Sequence, residues 1–152
     1  MPDVAPGRSL MASPVAAQII LCDAAQADPG TGKVHMLGAG WSMTRSPTSH
    51  AVAVLMKIPW DRANEPIALT VKLLDADGRR AQVITPGGVV PAMQAEGKVE
   101  VGRPAGIAPG SLLDASFVLN VPPVSLAPGR YEWRLEIGEA SYSAPFTVLT
   151  AA

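Results

Sequence analysis

Arg130-Tyr131-Glu132-Trp133-Arg134-Leu135-Glu136-Ile137 decides the fold. Tyr131, Trp133, Leu135 and Ile137 fall on one side of an extended chain, and Arg130, Glu132, Arg134 and Glu136 on the other. Successive side chains of a β-strand point to opposite faces. Strict alternation of apolar and charged residues therefore predicts a strand with one face in a core and one in water, as in an antiparallel sheet. Trp133 alternates with the core residues and is read as core. Gly138-Glu139 follows as a tight turn, and Tyr142, Ala144, Phe146 and Val148 alternate in a returning strand. Pro145 has no amide hydrogen to give, which places that strand at a sheet edge or a bulge.

Working outward, residues 112–121 alternate again, with Leu113, Ala115, Phe117, Leu119 and Val121 on one face. The proline-rich stretch 122–129 reads as a connection. Residues 50–58 are apolar on both faces through Ala51-Val52-Ala53-Val54-Leu55-Met56, which predicts a strand inside a layer. Residues 15–22 are nearly as apolar and read as a central strand. Residues 33–41 read as a further strand, with a bulge or close backbone approach at Gly38 and Gly40. Residues 67–75 and 79–84, joined by Asp75-Ala76-Asp77-Gly78, form the clearest hairpin, since Asp-Gly supplies the positive φ angles of short β-turns. Residues 85–91 read as loop, 93–101 as a strand, and 59–66 and 102–110 as loops rich in Pro or Gly. The expectation is all-β: an antiparallel two-layer β-sandwich, Ig-like or jelly-roll-like, of about nine strands. A closed barrel is the alternative. Residues 13–150 form one domain, and residues 1–12 a flexible leader.

Composition bounds the partners. The chain has 152 residues, enough for one core without a metal or disulfide. It is 48% hydrophobic and only 16% charged, which excludes disorder by composition. A formal net charge of -1, with no basic run beyond Arg79-Arg80, argues against a nucleic-acid partner. No stretch reaches the length of a membrane helix, so no membrane partner is expected. Residues 8–17 weakly resemble a signal peptide and residues 19–22 a lipoprotein box. Pro14 and Gln18 interrupt the first, and the large Leu21 before Cys22 spoils the second. Cys22 is the single cysteine, in an apolar run, and reads as a buried inert thiol. A cytoplasmic protein is expected.

The sequence offers little chemistry. His35, His50 and Cys22 share no metal-ligand spacing, and Asp75 and Asp77 read as turn residues. His35 reads as outward-facing and His50 as a polar residue at a strand end. Gly38-Ala39-Gly40 lacks the third glycine of a dinucleotide fingerprint, and no serine sits in a Gly-x-Ser-x-Gly elbow. No catalytic, cofactor or metal site is expected. Trp41 at a strand end and Trp60 between Pro59 and Pro66 read first as anchors over the open ends of the core, and second as contact surfaces.

The stretches Leu21-Cys22-Asp23-Ala24-Ala25-Gln26, Leu37-Gly38-Ala39-Gly40-Trp41, His50-Ala51-Val52-Ala53-Val54, Ile58-Pro59-Trp60, Gly97-Lys98-Val99-Glu100-Val101-Gly102-Arg103-Pro104 and Pro128-Gly129-Arg130-Tyr131-Glu132-Trp133-Arg134 together resemble an uncharacterised bacterial family. Its members are small all-β proteins known only as a domain of unknown function. The resemblance covers nearly everything after about residue 15. It implies a bacterial, non-exported protein and brings no activity, cofactor or catalytic residue.

The functional expectation is a non-catalytic protein-binding or scaffolding module, self-association included. Its contacts are expected at Trp41, Trp60 and the Arg103 turn, because loops on a rigid scaffold carry recognition. The alternative is a carbohydrate-binding sandwich that uses Trp41 and Trp60. A third reading, a hydrolase, would need a serine hydroxyl within hydrogen-bond reach of His50.

Overall fold

The computed structural model describes residues 13–151, so the leader assigned to residues 1–12 lies outside the described residues. In chain order the strands are β1 (Ala16–Cys22), β2 (Ala24–Ala27), β3 (Val34–Leu37), β4 (Met43–Thr44), β5 (Thr48–Ile58), β6 (Ile67–Asp75), β7 (Gln82–Thr85), β8 (Gly88–Pro91), β9 (Gln94–Val99), β10 (Leu113–Val124), β11 (Gly129–Ile137) and β12 (Ala140–Val148). A three-stranded sheet has the order β1-β5-β10, and a five-stranded sheet the order β4-β12-β11-β6-β9. Two hairpins, β2-β3 and β7-β8, complete the set. All pairings are antiparallel except the short contact of β4 with β12.

The alternation that predicted the sandwich is realised. Tyr131, Trp133, Leu135 and Ile137 are buried, and face Val52, Val54, Met56 and Ile58 in one apolar core between the two sheets. Trp133 is fully buried. Pro145 pairs with Glu132, while β4 reaches β12 only at Thr147 and Val148, so the other side of β12 is an edge at the proline.

Among the described residues twelve strands stand where about nine are expected, because β2, β4 and β8 are short pieces of two to four residues outside the stretches read as strands. Strand β1 lies at the edge of its sheet; β5 is the central strand. The stretch 85–91, read as loop, holds β8. Pro122 and Pro123, read as connection, continue β10, which tolerates them because β10 is an edge strand with a register shift between Val121 and Val124.

The Asp-Gly turn forms as read but its hairpin stops short. The Asp75 carboxylate accepts from the amides of Asp77 and Arg79 at 2.9 and 3.0 Å, and Gly78 takes φ +78. The return leg then bridges Leu74 at Arg80 and gives the Ala81 amide to the Leu73 carbonyl. It goes no further because β9 occupies the same edge of β6 from Ile67 to Lys72. Displaced from that edge, β7 pairs with β8.

Candidate functional site

The outer face of the three-stranded sheet is unusual in being apolar at one end. Its register sets Ile20, Ala53 and Val118 in one row and Cys22, Ala51 and Asn120 in the next. The β2-β3 hairpin folds over these rows, laying Ala25, Val34 and Met36 on Cys22, Ala51 and Ala53 as a second small core. The pivot is Gly38, at φ +63, where a Cβ would meet the Asp23 carboxylate at 2.1 Å; only glycine fits there. The Ser116 hydroxyl donates to the Gly32 carbonyl at 2.6 Å and holds the hairpin tip over β10. Burial and the neighbouring Asp23 both raise the Cys22 pKa, so the thiol stays protonated and unreactive.

Beyond the hairpin tip the same face opens as a groove of about 750 Å³. The next rows, Gln18-Leu55-Ser116 and Ala16-Lys57-Asp114, form its floor, and Thr31 to Val34 form one wall. Lys57 and Asp114 pair across the strands at the open end. The outer face of the five-stranded sheet is different. Lys72 meets Glu136 at 3.2 Å and Arg134 meets Glu132 at 2.8 Å, and no hairpin of the described residues covers them.

The tryptophans expected to mark a contact surface do not meet. Trp41 packs edge-on against His50 at 5.4 Å and Phe146 at 5.9 Å, by the first residues of β5. Trp60 lies two residues beyond the end of β5, in a single 3-10 turn over Trp60–Arg62. From His50 to Ile58 the strand climbs roughly 26 Å at about 3.3 Å per residue. One sugar cannot stack on both indoles.

Arg103 does join Trp60. Its guanidinium carbon lies 4.2 Å from the indole centroid, and Nη2 donates to the Trp60 carbonyl at 2.6 Å. The Asn64 amide donates to the Val101 carbonyl at 2.7 Å, tying the two loops just behind the pair. Trp60 is half-buried on the core and Arg103 is exposed. The guanidinium covers one indole face, which leaves that face closed to a sugar ring.

His50 was read as a polar residue at a strand end, but it is only 2% exposed. The reason is parity: it shares the inward face of β5 with Val52, Val54, Met56 and Ile58. The Trp133 indole donates to His50 Nε2 at 3.0 Å, and Nδ1 lies 3.2 Å from Thr48 Oγ1. Burial depresses its pKa to about 4. Its ring partners are a threonine and an indole, not a serine, so the proposed base of a hydrolase is already engaged. His35, read as outward-facing, is exposed on β3. The sequence signal for the His50–Trp133 contact was the shared even-numbered parity of His50 with the core side of its strand.

Three comparisons with known proteins bear on the chain. A model of a family of unknown function, DUF6941, matches residues 17–149. Nothing among the curated proteins matches. Among solved structures, a family 123 glycoside hydrolase from Clostridium perfringens, studied for glycolipid glycan hydrolysis, is similar at a TM-score of 0.34 and 13% identity; the match covers 72% of this chain and 23% of that one.

Proposed function

This chain belongs to the DUF6941 family, and from that premise we propose that it is a non-catalytic protein-binding β-sandwich module whose contact surface is the Trp60–Arg103 ledge. The observation that carries the reading is the stacked pair itself. Trp and Arg are the residues most enriched among those that dominate binding energy at interfaces. Here the Arg103 fork is held over the indole and against a carbonyl before any partner arrives. A partner therefore meets a side chain already ordered, and less rotamer entropy is lost on binding. The stack is also worth about 0.5–1 kcal/mol to the loop when exposed.

Trp41 has no comparable role. Its ring packs on His50 and Phe146, and its indole N–H is buried without an acceptor among the described residues. It caps the opposite end of the core.

The test is affinity purification with mass spectrometry from the native cell, comparing the full chain with the Trp60→Ala/Arg103→Ala variant. The reading expects specific proteins that the variant loses at least about tenfold, corresponding to about 1.4 kcal/mol. A variant that is less stable but keeps every partner shows the pair to be a loop anchor only. Light scattering at high concentration examines self-association, and a monomer throughout removes that part.

A further inference from the structure

We propose that His50 is an acid-sensitive latch between the two sheets: neutral, it joins β5 to β11 through Trp133, and a proton taken up at Nε2 releases the indole and loosens this end of the sandwich. The chemistry follows from the donors. An indole N–H can only donate, so Nε2 of His50 must present its lone pair to Trp133. A neutral imidazole then carries its proton on Nδ1, which donates to Thr48 Oγ1. The Thr44 hydroxyl donates to the same Thr48 oxygen at 3.2 Å. The chain of bonds thus runs from β11 through β5 to β4, crossing from one sheet to the other twice.

Protonation needs only a solvent proton. It adds to the Nε2 lone pair, and the imidazolium then sets its N–H against the N–H of Trp133. Among the described residues no charged side chain acts on the ring to compensate the new charge. Thr48 faces His50 from its own strand, Trp133 from β11, Phe146 from β12 and Trp41 from the segment before β4, and Val121 is its partner in β10. Tyr131, stacked on Phe146, carries a titratable hydroxyl that donates to the Ala127 carbonyl, not to His50. The low pKa of His50 has burial as its one cause, in keeping with an uncharged surrounding.

The test uses the full chain. Nitrogen-15 correlation of the imidazoles, with His35→Gln to assign the signals, reads the tautomer near neutral pH. Near-ultraviolet circular dichroism and tryptophan fluorescence then follow the indoles into acid. The latch expects the Nδ1–H tautomer at His50 and a loss of indole signal as the ring titrates near about 4. In His50→Gln the amide oxygen accepts from Trp133 without titrating, and the transition moves down by about one pH unit or more. An Nε2–H tautomer, or an acid transition unchanged in His50→Gln, overturns it. Should that variant not fold, the wild-type data decide: coincidence of the His50 titration with the indole transition supports the latch, and separation of the two overturns it.

Discussion

Strands β5 and β11 are the central strands of the two sheets, and they solve opposite problems. Strand β11 buries Tyr131, Trp133, Leu135 and Ile137 and turns charges outward to water. Strand β5 buries its even-numbered residues in the same core, but Ala51 and Ala53 on its other face are also fully buried. The difference is the β2-β3 hairpin, which covers one outer face and has no counterpart on the other among the described residues. Where a second layer lies over a sheet, its strand reads apolar on both sides; where water lies there, the strand alternates. Along β5 the cover ends, and the outward residues pass from Ala53 to half-buried Leu55 to exposed Lys57.

The largest expected break of this contrast is inside β11. Trp133→Ala removes the fully buried ring and an inter-sheet hydrogen bond, and should cost about 3–5 kcal/mol in urea unfolding. The next is the pH dependence of β5. His50 has the ordinary histidine pKa of about 6.5 when unfolded and one of about 4 when folded. Between these values the unfolded chain holds the extra proton, so stability is full above about 6.5 and falls as pH drops toward about 4. The loss is about 3 kcal/mol, measured as the urea free energy of wild type minus that of His50→Gln across the window.

Smaller effects separate the two outer faces. Ala53→Leu has no room beneath the hairpin and should cost about 1–3 kcal/mol, whereas Ser143→Leu on the open face should stay within about 0.5 kcal/mol. Equal effects at both sites would show that the hairpin does not cover β5 in solution. Smallest is the Arg134–Glu132 pair, where a double-mutant cycle should give under about 1 kcal/mol and shrink in high salt. A larger, salt-insensitive coupling would mean that this face is covered after all.

Much of the fold was legible. The alternation of residues 130–137 placed Trp133 in the core, and the two-sided apolarity of residues 50–58 placed β5 inside a layer. Gly38 reads from the sequence as a bulge or close approach, and it sits against the Asp23 carboxylate. Less of the candidate site was legible. Trp60 and Arg103 stand out separately in the sequence, and nothing in it announces that one stacks on the other from 43 positions away. The polar character of His50 suggests a strand end, whereas its parity with Val52 and Val54 points inward.

The amino-acid order alone determined which residues alternate, where the chain turns, and that β5 has two faces to hide, because the period of a strand is a local property of the backbone. Only the tertiary structure decided what hides them. The β2-β3 hairpin came to lie on Ala51 and Ala53, β7 left β6 because β9 holds that edge, and Trp133 found His50 from 83 positions away. Such pairings depend on which edges and donors remain free once every other strand is in place.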